Sequence, residues 1–283
     1  MTFSLAELFD TPLPPLKVVD VGALPVEGHD EVYQGLYERD LCDVVAFEPD
    51  AALCDRLNAE SDGRRTYLPH FVGDGARGTF RTCRARMTSS LYEPNEPLLD
   101  MFQNLSDLLA VESRDSVATV RLDDIDSAKG ADFLKLDVQG AECAVIEGAP
   151  DLLQSVSVVH TEVEFVPLYE RQPLFAEVDQ ALRRNGFLFH KFMGFAGRAF
   201  KPSIVSGEPH ATLSQMLWSE AVYVKDFTAL ADLPAHRLLK LAVILHDVYA
   251  SVDLALVCLR EWDRKTGNKV AVEYQARLAV LSP

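Results

Sequence analysis

The stretch Asp132-Phe-Leu-Lys-Leu-Asp-Val-Gln-Gly-Ala-Glu142 limits this chain to few architectures. It starts as an apolar run, the mark of a parallel strand covered on both faces. Asp137 stands where that run gives out, and Gly140 turns the chain into an amphipathic helix. A carboxylate at such a corner lies at the carboxyl end of its strand, the side on which open α/β sheets bind ligands. The plainer reading is an ordinary strand-to-helix corner in which Asp137 accepts from nearby backbone N–H groups. The stretch alone does not separate the two.

The flanking sequence repeats the pattern. Residues 16–22 read as a first core strand after a Pro-rich lead-in (Pro12, Pro14, Pro15), followed by a loop holding Gly22, Pro25 and Gly28. Residues 29–39 are helix-compatible, 43–49 form a second strand ending at Glu48, and 50–58 a helix. A third strand is expected at 66–72, closing on Gly73-Asp74-Gly75. This β-α-β-α alternation predicts a doubly wound parallel sheet. Residues 78–86 read as an edge strand or hairpin, 87–95 as a surface loop, 98–111 as a helix and 116–122 as a short strand.

Beyond the Asp137 corner the sequence predicts a helix at 141–153 and a strand at 156–165. Phe175, Val178, Ala181 and Leu182 recur at helical spacing up to Asn185-Gly186. Residues 187–192 and 220–224 then form an expected antiparallel pair at one sheet edge, joined through a long loop. One long helix is expected at 234–262, with Leu238, Leu241, Leu245, Val248 and Val252 on one side. So apolar a stripe must pack on the sheet domain or on a second copy of the chain as a homodimer. The expected division is a sheet domain at 1–226 and a helical C-terminal extension at 227–283.

Charge and cysteine usage narrow the partners. A formal charge of −16 speaks against nucleic acid and against anionic membrane surfaces. Five scattered cysteines without a CxxC pair suit neither a disulfide framework nor a structural zinc site. The acidic N-terminus has no basic leader and no apolar run is long enough to span a bilayer. A cytoplasmic protein is expected.

Acids at strand ends are the candidates for chemistry. Asp20 and Gly22 end the first strand, Glu48 ends the second and Asp74 follows the third. A carboxylate at the second strand end is placed to accept both hydroxyls of a ribose. The first loop reads Gly22-Ala-Leu-Pro-Val-Glu-Gly28 and is not GxGxxG, so a ribose-bearing ligand without a pyrophosphate fits better than a dinucleotide. In Val159-His-Thr-Glu-Val-Glu-Phe165, alternation puts His160, Glu162 and Glu164 on one side of a strand. His160 and Glu162 could position or deprotonate a substrate beside Asp137, or form a mutually satisfied pair on the sheet. No metal is assigned to the His-x-Glu-x-Glu spacing.

Taken in order, Asp20-Val-Gly-Ala23, Phe47-Glu-Pro49, Arg121-Leu-Asp-Asp124, Leu134-Lys-Leu-Asp-Val-Gln-Gly-Ala-Glu142, Glu162-Val-Glu-Phe-Val-Pro-Leu-Tyr169, Gln172-Pro-Leu-Phe175 and Gln215-Met-Leu-Trp-Ser-Glu-Ala-Val-Tyr-Val-Lys-Asp226 resemble the FkbM family of S-adenosylmethionine-dependent methyltransferases. The likeness spans roughly residues 16–226. It implies a class I methyltransferase fold, a Rossmann-like seven-stranded sheet with the last strand antiparallel. Asp20, Gly22 and Ala23 would then receive the methionine part of the cofactor. Glu48 would hold the ribose and Asp74 would lie near the adenine. Asp137 would stand between cofactor and acceptor.

The resemblance further implies methyl transfer to a hydroxyl of a sugar or secondary metabolite, a small-molecule or glycan acceptor. Asp137, His160 and Glu162 are the candidate bases, and Ser89, Ser90, Asn95 and Trp218 the candidate lining of an acceptor pocket. The family's first loop often carries Asn and Gly where this chain has Leu24 and Val26. That difference motivates an alternative, a methyltransferase-like binding module without turnover. A nicotinamide-dependent oxidoreductase is a third reading, opposed by the missing GxGxxG.

Overall fold

The computed structural model describes residues 3–26 and 28–281. At its centre lie four parallel strands, β1 (Leu16–Val21), β2 (Cys42–Phe47), β7 (Phe133–Leu136) and β8 (Val158–Glu164). Outside β2 pairs the parallel β3 (Arg65–Leu68), and beside β8 lies the antiparallel β11 (Met216–Lys225). The outer edge of β11 is shared by β9 (Phe187–Phe192) and the two-residue β10 (Ala196–Gly197). The order β3-β2-β1-β7-β8-β11-β9 reverses between β1 and β7, so a crevice opens there at the carboxyl ends. With β9 and β10 sharing one edge, this is the expected seven-position sheet whose last strand is antiparallel.

Both faces are covered, as continuous apolar strands require. On one face α5 (Glu142–Glu147), α6 (Leu152–Ser155) and α7 (Phe175–Arg184) bury Val145, Ile146, Leu153, Val178 and Leu182 against Val19, Leu134 and Val159. On the other, α1 (Gln34–Glu38) and α2 (Ala51–Glu60) are joined by the C-terminal helices α8 (Ala235–Val243), α9 (Val252–Thr266) and α10 (Val270–Leu281). Leu238, Leu241, Leu245 and Leu259, all fully buried, pack with Val18, Val44, Phe133 and Val158. The apolar stripe is therefore spent on the chain's own sheet, and a homodimer built on that stripe is set aside.

Several sequence expectations change, and the helix expected at 141–153 divides at Gly148 into α5 and α6. The strand expected at 66–72 stops at Leu68, because Pro69 has no N–H to continue the ladder. The chain then crosses into β4 (Phe71–Val72), part of a second sheet ordered β4-β6-β5 with β5 (Arg77–Cys83) and β6 (Val111–Val120). The short strand expected at 116–122 is thus a ten-residue strand hairpinned to β5. The helix expected at 98–111 is two single turns, α3 (Glu96–Leu99) and α4 (Leu105–Leu108), separated where Asn104 takes a left-handed conformation (φ 60°). The long helix expected at 234–262 widens at Ile244–Val248 and breaks at Ala250 (φ 51°) before α9. A widened turn followed by a break is a common functional device, and here it delivers Tyr249 beneath the crevice.

Candidate active site

The β1–β7 crevice holds two adjoining cavities of about 380 and 650 Å³, within the size range of small-molecule sites. Gly22, Leu24, Val26, Met87, Asp137 and Gln139 line both, so the β1 loop and the β7 corner form a common wall. The fit along that wall is tight. A Cβ on Gly22 (φ 86°) would lie 1.8 Å from the Asp137 carbonyl oxygen, so only glycine lets the two chains meet.

The smaller cavity lies over β2 and β3. Glu48, 6% exposed, enters it with Phe47, His70, Phe71 and Val72, and β5, β6 and the segment between them roof it with Phe80, Thr82, Met87 and Leu91. Glu48 Oε1 accepts from Asp50 N at 2.9 Å, which fixes the carboxylate at the strand end. Burial raises its pKa, opposed by that hydrogen bond and by Arg86, which pairs with Asp50 at 3.1 Å. The result is an apolar slot with one anchored hydrogen-bond acceptor, an arrangement able to receive a flat ring system carrying hydroxyls.

The larger cavity lies over β7, β8 and β11 and is acidic. Asp30, Glu31, Asp137, Glu162 and Glu220 line it with His160, Tyr169, Trp218, Lys135 and Arg198. Gln139, held at φ 55°, ties it together. Its Nε2 donates to Asp137 Oδ1 at 2.8 Å and to Glu162 Oε2 at 2.6 Å, and its Oε1 accepts from Tyr169 at 3.1 Å. A non-glycine residue in that conformation marks strain maintained by its surroundings. Burial pushes Glu162 well above the usual carboxylate range, reinforced by Asp137, Glu164 and Glu220. Asp137 is raised by burial as well, against the pull of Lys135.

The sequence-derived candidates divide. Gly22, Glu48, Ser89 and Asp137 line the smaller cavity; Gly22, Asp137, His160, Glu162 and Trp218 line the larger one. Asp20 does not reach either. Fully buried, it accepts from Tyr33 at 2.6 Å and from Lys135 at 3.1 Å, and Lys135 also meets Glu31 at 3.0 Å. Ala23 turns into the core, and its N–H and that of Gly22 both donate to Phe47 O, at 3.0 and 3.1 Å. Ser90 is buried and donates to Gln139 O at 2.7 Å, so it supports the corner from behind; Asn95 donates to Pro167 O at 2.9 Å, away from both cavities.

Asp74 is the largest displacement. It is exposed and accepts from Ala76 N at 2.9 Å. The chain leaves the main sheet after Leu68; the adjacent Gly73 packs on Gly148 just past the end of α5, and Asp74 turns to solvent beyond Val72, the last residue of β4 in the smaller cavity. His70 and Phe71 stand where Asp74 was expected. Sequence reasoning also missed Gln139, Tyr169, Lys135, Glu220 and Tyr249. Gln139 and Lys135 sat inside the singled-out stretch, and Glu220 inside a recognised phrase. Tyr249 carried no local signal.

A doubly wound sheet with a two-part crevice at its reversal point, a ribose-type acceptor on one side and acids on the other, defines an α/β group-transfer enzyme of the methyltransferase kind. The chain belongs to the methyltransferase FkbM domain family, whose model matches residues 20–189, more than half of it. No curated protein matches the chain. Among solved structures it is similar to magnesium protoporphyrin IX methyltransferase of Synechocystis PCC 6803 with bound SAM (11% identity, 75% of this chain and 71% of that one, TM-score 0.38). It is also similar to a TehB-like SAM-dependent methyltransferase of Corynebacterium glutamicum (14% identity, 80% and 89%, TM-score 0.35). A third is the plantazolicin methyltransferase BpumL in complex with SAH (11% identity, 78% and 79%, TM-score 0.37). These likenesses are too distant to argue from; the family match and the strand order carry the assignment.

Proposed function

We propose that the chain transfers a methyl group from S-adenosylmethionine to a hydroxyl of a small acceptor such as a sugar or secondary metabolite. The supporting observation is the pair of cavities sharing the Gly22–Asp137 wall, which gives cofactor and acceptor separate chambers with one meeting point. Glu48 holds the ribose hydroxyls, His70 and Phe71 flank the base, and Gly22 with Leu24 and Val26 forms the floor under the amino-acid tail. With Gly22 N and Ala23 N spent on Phe47 O, that tail relies on other groups. The cofactor supplies a methyl already activated on a sulfonium, leaving orientation and the proton to the protein. Asp137 and Glu162, cross-linked by Gln139, face the meeting point, and Trp218 offers a ring to one face of the acceptor. Five free thiols suit a cytoplasmic setting.

Calorimetric titration with S-adenosylmethionine and S-adenosylhomocysteine tests this reading. Removing a carboxylate that accepts from two hydroxyls costs about 1.5–3 kcal/mol. Glu48→Ala should therefore weaken both ligands roughly 10- to 100-fold. If neither ligand binds the native chain, the reading fails in favour of a module without turnover.

A further inference from the structure

His160 cannot serve as a free base, because both ring nitrogens are engaged. Nδ1 lies 3.0 Å from the Tyr249 hydroxyl, with the two rings stacked at 17°, and Nε2 lies 3.0 Å from Glu220 Oε2. A bare nitrogen lone pair facing a carboxylate would be repelled, so Nε2 carries the proton and Nδ1 accepts from Tyr249. Glu220 Oε2 is buried and lies off the ring N–H axis, a misalignment that resting sites show before a ligand closes them. The rest of Glu220 opens on the larger cavity, its side chain 36% exposed. Register places it opposite Glu162 on β8, one strand from Asp137.

We propose that Glu220 is the group that receives the acceptor's proton, positioned by His160, whose ring Tyr249 sets from the C-terminal helices. This rests on the larger cavity being the acceptor chamber. The hydroxyl proton passes to Glu220 Oε1 and the O–H electron pair stays on oxygen, which bonds the methyl while the C–S pair leaves with sulfur. Glu162 suits this role less, since Gln139 already donates to it and burial, with its acidic neighbours, raises its pKa. Tyr249 and His160 are positioning residues. Tyr249 is fixed in turn by Lys191 of β9, which donates to its carbonyl, and by the Phe133 ring at 6.2 Å. The charged groups that share the larger cavity with Glu220 are Glu162 and His160 on β8, Lys135 on β7, Asp137 just beyond it, Asp30 and Glu31 before α1, and Arg198 after β10.

The test is nitrogen NMR of the full chain labelled at histidine, with His160 assigned by its disappearance in His160→Gln. Neutral His160 is expected as the Nε2–H tautomer. Glu220→Leu, which removes the facing acceptor, and Tyr249→Phe should each release a tautomer mixture. An Nδ1–H tautomer in the native chain, or an unmixed Nε2–H tautomer retained in Glu220→Leu, overturns the proposal even if Tyr249→Phe fails to fold. S-adenosylhomocysteine affinity should stay within about threefold in both variants. Its absence in the native chain would count against the cofactor reading and leave the tautomer result to decide this one.

Discussion

The two cavities are built on different principles. The smaller one is mostly apolar: Gly22 and Glu48 are strand-end residues, and side chains of β4, β5 and β6 close around one anchored acid. The larger one is assembled from β7, β8, β11, the turns before β6 and, behind His160, the C-terminal helices. Its acids are crowded enough to raise one another's pKa, which an adenosine slot does not require. The contrast teaches that one anchored acid among apolar walls needs only strand-end placement, whereas a crowd of acids needs partners such as Gln139, Lys135 and the C-terminal helices to hold it.

Removing the C-terminal helices should break the comparison outright. A chain ending at Asp226 exposes Val18, Val44, Phe133 and Val158 and loses Leu238, Leu241, Ile244, Leu245, Tyr249 and Leu259 from the core. At about 1.5–3 kcal/mol per large buried side chain, the loss exceeds the 5–15 kcal/mol by which such a domain is stable. Insoluble or unfolded material is expected by circular dichroism. A soluble, folded fragment would show that 227–283 is a dispensable appendage.

Gly22→Ala strikes the shared wall. A Cβ at 1.8 Å from a carbonyl oxygen, at positive φ, should lower stability by about 3–5 kcal/mol, read as a fall in thermal midpoint with loss of binding in both cavities. Should only S-adenosylmethionine affinity fall, the two cavities are less joined than the geometry says.

Asp137→Asn separates the cavities' roles. Turnover should fall about 100-fold or more while cofactor affinity changes less than tenfold, since the carboxylate faces the meeting point. A loss confined to affinity would move Asp137 to the cofactor side.

The smallest effect concerns pH. Glu142 is buried behind the corner, accepts from Val138 N at 3.0 Å, and is pushed up by burial to about 7 from 4.5. The native state then holds a proton that the unfolded chain has lost between pH 4.5 and 7, so stability falls as pH rises through that window. Glu142→Gln should flatten this limb by roughly 1–3 kcal/mol in thermal melts at pH 5 and pH 8. An unchanged slope would mean that the raised carboxyls of Glu162 and Glu164, not Glu142, set this limb.

Much of the fold was legible because strand periodicity and glycine corners are local properties. The residues 16–22, 43–49 and 132–142 became β1, β2 and β7 with their acids at the carboxyl ends. Glu48 and Asp137 reached the crevice for that reason. Asp74 did not, because one proline carried the chain out of the main sheet, and a strand's membership in a sheet is not written in its own residues. Asp20 read as a cofactor contact, yet its outcome depended on Lys135 and Tyr33 being near enough to claim it.

Alternation and spacing, then, settled by themselves the parallel core, the acids at its strand ends and the placement of His160 and Glu162 on one strand face. Only tertiary structure decided which carboxylates face open space, which are consumed by buried partners, and that a break in the C-terminal helix would set Tyr249 against His160. Periodicity records which way a side chain leaves the backbone. What it meets there is fixed by segments more than a hundred residues away in some cases, whose approach depends on the packing of the whole core.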